Sequence, residues 1–163
     1  RSFKEWLVTQ AIAPELFTVF VSHTTPVSKV MELVVEKTGC KLGSVYNIWA
    51  FLDSRVIAPP EASIETKMKL LVHDLDLSSP SASELIGKNQ ARAATVRELL
   101  TFLWTYPEEQ LKYPVVALGE PPDGNTPIVA YAYMVGNTRM IFIGVPSDTC
   151  KWEAGCRFLV VSS

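Results

Sequence analysis

The chain has 163 residues, enough to bury a real core in one ordinary domain or two small ones. Hydrophobic residues make up 48% and charged residues 20%, a globular composition that excludes a disordered chain. The net charge is −2, without a run of Lys or Arg, so the basic footprint of a nucleic-acid binder is missing, and no stretch nears the roughly 20 apolar residues that cross a bilayer.

The start, Arg1-Ser2-Phe3-Lys4-Glu5, has no apolar signal core and no initiating Met, so the chain reads as a piece of a longer protein. Residues 4–13 read as a strand around Trp6-Leu7-Val8, with a turn at Pro14-Glu15. Leu16 to Val21, rich in β-branched and aromatic residues, follows as its hairpin partner. Thr25 suits a helix N-cap and Pro26 the first helical position. Val27, Val30, Met31 and Val34 then form one apolar stripe at helical spacing, and Gly39 is placed to end the helix. Tyr46 to Leu52 reads as a strand, Val56-Ile57 as a short strand, Pro59-Pro60 as loop, and Met68 to Leu75 as the strand that closes the unit.

Residues 78–94 open with Ser78-Ser79-Pro80-Ser81-Ala82-Ser83 and read as a linker between a first unit, 1–77, and a second, 95–163. Thr95 and Glu98 form a capping box ahead of the stripe Val96, Leu99, Leu100 and Leu103. Strands are expected at Tyr113–Leu118, Ile128–Val135, Arg139–Val145 and Arg157–Val161, with Gly136-Asn137 as a two-residue hairpin turn. The fold class is α+β, the second unit being one helix and an antiparallel sheet.

Three cysteines make no disulfide framework. Cys150 and Cys156 can pair across a loop in an oxidising compartment, whereas the odd Cys40 fits a free thiol in a reducing one, which points to the cytoplasm. Cys40 with His23 or His73 is the candidate nucleophile pair of a Cys-dependent hydrolase. However, Cys40 follows a helix C-terminus, where the dipole disfavours a thiolate. In His73-Asp74-Leu75-Asp76 a strand would place Asp74 and Asp76 on one face, the minimum for a hard cation, against the plainer reading of a solvated strand end. Neither zinc spacing nor a phosphate loop is present, so no cofactor or metal is expected. Trp6, Trp49 and Trp104 sit in regular elements and read as core, while Trp152, in the polar stretch 148–153, reads as an exposed binding anchor.

The order hairpin, capped helix, strand, short strand, final strand over about residues 3 to 77 resembles the ubiquitin-like β-grasp. Within it, Thr24-Thr25-Pro26-Val27-Ser28-Lys29-Val30-Met31-Glu32-Leu33, Tyr46-Asn47-Ile48-Trp49 and Val56-Ile57-Ala58-Pro59-Pro60-Glu61 are most similar to a Ras-association domain. The resemblance implies binding of a protein partner, a small GTPase, through the second strand and basic residues there and on the helix. Leu16 to Val21 carries no Lys or Arg, so His23, Lys29 and Lys37 are the residues at hand. The expectation is a non-catalytic protein-interaction module or scaffold part, pairing through the edge strand of Phe17, Val19 and Val21, with Trp152 as a further contact. A Cys-dependent hydrolase fragment and a self-assembling, virion-type component are the alternatives. Neither nucleic acid nor membrane insertion is expected.

Overall fold

A computed structural model of the chain describes residues 15–44, 48–54, 63–122, 124–146 and 149–162. The elements run β1 (Phe17–Ser22), α1 (Val27–Thr38), β2 (Lys41–Ser44), α2 (Ile48–Ser54), β3 (Ser63–Val72), α3 (Ser79–Lys88), β4 (Ala91–Ala93), α4 (Val96–Thr105), α5 (Glu109–Lys112), β5 (Val115–Ala117), β6 (Val129–Val135), β7 (Thr138–Gly144) and β8 (Arg157–Ser162). The α+β class holds, but the second unit is not one helix on an antiparallel sheet: among the described residues, 95–163 carry two helices, and β5 runs parallel to β8 within one mixed eight-stranded sheet. The strand order is β1-β3-β8-β5-β6-β7-β2, and β4 also pairs with β8.

The sheet joins the two halves of the chain. β3 and β8 are antiparallel from Met68↔Val161 to Val72↔Arg157, and the far side of β8 is shared by β5 and β4. The stretch 78–94, expected as a linker, folds into α3 and β4 instead. Its serines start a helix: Ser78 is the N-cap, accepting from the Ser81 N–H at 3.3 Å, with proline in the first turn.

Alternation along the strands sends side chains to two cores. On one face, Phe17, Met68, Leu70, Leu159, Val115, Ala130 and Ile141 pack under α1 and α4. α4 lies against β1, β5, β6 and α1. On the other face, Leu71, Phe158, Val160, Val116 and Val129 pack with Leu85 and Ile86 of α3 and with Trp152. Trp152, expected as an exposed anchor, is therefore a core residue, 5% exposed. Its backbone exchanges two hydrogen bonds with Leu77, at 2.6 and 2.9 Å, and its indole N–H donates to Ser79 Oγ at 3.0 Å. Trp104, expected as core, is 46% exposed, because it lies on the solvent side of α4 under the Lys37 ammonium.

Several local signals behave as expected. Val27, Val30, Met31 and Val34 are the buried stripe of α1, and Gly39 closes that helix at φ 72°, its N–H bonded to Val35 O. The capping box of Thr95 and Glu98 forms, and Gly136-Asn137 turns β6 into β7. At Gly119 a Cβ would lie 2.1 Å from Ala93 O, so only glycine lets the chain pass the joint between β4 and α4.

A further expectation fails. Tyr46 to Leu52 was expected as a strand, yet Ile48–Ser54 is helix α2. Trp49, Leu52 and Asp53 repeat at helical spacing; Leu52 is buried, Trp49 packs against the core, and Asp53 bonds Ser28 of α1. The β-prone Ile48, Trp49 and Phe51 masked that period. β3 also ends at Val72, before the expected Leu75. The expected strands at 4–13 and at Val56-Ile57, the Pro59-Pro60 loop and Trp6 lie outside the described residues. Among the described residues no helix is long and apolar enough to cross a membrane.

Candidate functional site

β1 ends the sheet among the described residues, as an edge-pairing strand must. Phe17, Val19 and Val21 nevertheless point into the core, and Phe20, 65% exposed, faces solvent. The outward backbone is partly occupied. The Tyr106 hydroxyl accepts from the Thr18 N–H at 3.3 Å and donates to Thr18 O at 3.1 Å. Nearer the strand end, the Arg97 guanidinium donates to Ser22 O at 2.8 Å and also to Thr25 O. These side chains blunt the edge as natural sheets commonly do.

The basic residues singled out beside β1 are similarly engaged. Lys29 pairs with Glu32 at 3.1 Å, and Lys37 donates to Trp104 O at 2.5 Å while lying 4.2 Å from the centre of its ring. Burial, and then the charge of Arg97, push His23 below the usual histidine range.

No thiol–histidine pair forms around Cys40. His23 precedes α1 and Cys40 follows it, so the 12-residue helix, about 18 Å long, separates them. His73 belongs to the opposite face of the sheet, stacked on Phe158 with ring centres 4.8 Å apart. Cys40 itself is buried, and its thiol lies 3.6 Å from Gln110 Oε1. The Gln110 amide also donates to Tyr133 O at 3.0 Å and Met140 O at 2.9 Å, so this buried side chain fastens α5 to the β6–β7 hairpin. Of the Asp74 and Asp76 pair weighed as a cation site, Asp76 accepts from the Ala154 N–H at 2.9 Å. Among the described residues no group of three or more His, Cys, Asp or Glu side chains is placed to hold a metal.

What the fold does assemble is a groove of about 430 Å³ beside β2, at the other end of the sheet. Met31 and Val35 of α1, Leu42 of β2 and Trp49 of α2 line it, with Ser28, Glu32 and Glu36 completing the lining. Val35 and Leu42 are each 38% exposed. Helical spacing along α1 explains the chemistry: Ser28, Met31, Glu32, Val35 and Glu36 share one side of that helix.

The wall is held by a contact that sequence reading missed. The residue expected to cap α1, Thr25, instead bonds Ser22 Oγ at 2.8 Å, and the N-cap position falls to Pro26, which supplies no side-chain acceptor. Asp53 of α2 does so, accepting from Ser28 N–H at 3.0 Å and Ser28 Oγ at 2.5 Å. One carboxylate thus caps α1 and docks α2.

The groove has apolar walls and acidic residues, and among the described residues its lining holds no Cys or His and no metal-ligating cluster. It can take up an apolar chain segment and favour positive charge beside it. No protein-family model, curated protein or solved structure matches this chain.

Proposed function

We propose that the protein is a non-catalytic protein-interaction module, and that the α1–β2–α2 groove is its contact surface. The segment it takes is amphipathic, apolar along one side with Lys or Arg beside that side. The observation that carries this reading is the exposure of Val35 and Leu42 in a preformed groove that also contains Glu32 and Glu36. Glu36 pairs with no cation among the described residues, and Glu32 meets only the flexible, exposed Lys29. A basic segment therefore gains charge complementarity without displacing a buried ion pair. Apolar anchors at i, i+3 or i+4 and i+7 are the helical way of filling such a groove.

The β-grasp resemblance of residues 3 to 77 points to the same class of role and adds a small GTPase as a candidate partner. The engagement of Lys37 with Trp104 weighs against that partner. The occupation of Thr18 and Ser22 by Tyr106 and Arg97 likewise weighs against pairing through β1.

The test is selection from a displayed library of random helical peptides on the full chain, with counter-selection on Val35→Glu and Leu42→Glu. Both positions are partly exposed, so the variants should fold, which circular dichroism checks. Enriched peptides carrying helically spaced apolar residues and Lys or Arg, and losing binding to both variants, are the expected result. Peptides that bind the variants equally well, or enrichment without basic residues, would overturn the assignment.

A further inference from the structure

We propose that Cys150 and Cys156 form a redox-active dithiol, a modification site that takes a low-molecular-weight disulfide as oxidant and closes into a disulfide across the Trp152 turn. The two thiols flank the segment that carries Trp152 into the second core. That segment is tied at three places: the Leu77–Trp152 backbone pair, the Trp152 indole on Ser79, and the Ala154 N–H on Asp76. Beyond Trp152 the chain reverses, with the Cys156 N–H donating to Glu153 O at 3.2 Å, and enters β8. Both cysteines are free, both are half-buried, and both pack against the same cluster of Leu71, Leu77, Trp152 and Phe158. Cys40 sits in the other core, separated from them by the sheet.

The surroundings set the order of events. Burial, then the charge of Glu153, push the Cys156 thiol up, and Asp76 and Cys150 add to this from nearby. Cys156 is thereby disfavoured as the first nucleophile, which leaves Cys150 to open the reaction. Its thiolate displaces one thiol from the small disulfide, leaving a mixed disulfide on Cys150. Cys156, on losing its proton to solvent, attacks the Cys150 sulfur and expels the second small thiol. The two protein thiols lose two electrons and two protons, and the oxidant is reduced to two thiols. The product is a covalent ring around Trp152, which fixes the loop in the core.

The experiment exposes the native full chain to oxidised glutathione, traps remaining thiols with an alkylating reagent, and digests with trypsin. Cleavage after Arg139, Lys151 and Arg157 puts Cys150 in fragment 140–151 and Cys156 in fragment 152–157. The expected result is that these fragments stay joined until reduced, with a mass two hydrogens below the sum of the free pair. The Cys40 fragment remains unreacted in the folded chain. The same reaction in urea, where only chain proximity acts, should close at least about tenfold more slowly if the fold holds the pair together. Lasting glutathione adducts on either cysteine, covalent dimers, two thiols still open to alkylation, or equal rates with and without urea would each overturn the proposal.

Discussion

Asp53→Ala is the substitution that probes how the groove is built. The Asp53 carboxylate accepts from both the backbone N–H and the hydroxyl of Ser28, in the first turn of α1. Pro26 gives that helix no side-chain cap, so the substitution leaves its start uncapped. Loss of a cap costs about 1 kcal/mol, and loss of a charge-assisted bond to a half-buried hydroxyl costs about as much again. The total of about 2 kcal/mol corresponds to a fall in melting temperature of roughly 4 to 8 °C for a chain of this size. Asp53→Asn, which keeps an acceptor and loses the charge, should recover about half of the loss. The assay is thermal and urea unfolding followed by circular dichroism, with Ser28→Ala and the double variant completing a cycle. A coupling of about 1 kcal/mol between the two positions is expected. An Asp53→Ala variant within about 0.5 kcal/mol of the parent, or no coupling, would refute the reasoning.

Glu98 is buried, and burial pushes its carboxyl up, but hydrogen bonds from Arg92 and Thr95 outweigh this and hold it below the usual range. A depressed folded pKa gives stability that is fully present above the unfolded value near 4.5 and lost as the pH falls through the folded value. Glu98→Gln should cost about 1 kcal/mol at pH 7 and flatten that acid loss in pH-dependent unfolding. Trp152→Ala should cost about 3 to 5 kcal/mol and Trp104→Ala no more than about 1 kcal/mol, which urea titration separates. Gly119→Ala drives a methyl group into Ala93 O and should cost about 3 kcal/mol or more by the same measurement. Tyr106→Phe removes the partner of the Thr18 amide, whose hydrogen exchange should quicken about fivefold; unchanged exchange would remove Tyr106 as the guard of the β1 edge.

Where structure is set locally, the sequence was readable. The apolar stripe and Gly39 mark α1, the reciprocal bonds of Thr95 and Glu98 mark the start of α4, and Gly136-Asn137 marks the β6–β7 turn. Each of these signals acts within a few residues. The errors arise where a distant partner decides. Ile48, Trp49 and Phe51 favour a strand on propensity, but Leu52 in the core and Asp53 on Ser28 select a helix. The polarity of 148–153 hid Trp152, whose indole is satisfied by a serine 73 positions away. Ser78 to Ser83 had the composition of a linker and the capping chemistry of a helix start, and Leu85 and Ile86, buried on the sheet, favour the second. Nothing local foretold the β3–β8 pairing that makes one sheet of both halves. The groove was invisible for the same reason: its lining comes from α1, β2 and α2, and the residues joining those walls, Ser28 and Asp53, are 25 positions apart.

The most direct test of the docking role is amide and methyl chemical-shift mapping of the isotope-labelled full chain, titrated with a basic amphipathic peptide enriched in the selection. The account predicts that the largest shifts fall on Met31, Val35, Leu42 and Trp49, and that affinity drops as salt rises. Shifts centred on β1 around Phe20 instead, with the groove residues unmoved, would contradict it.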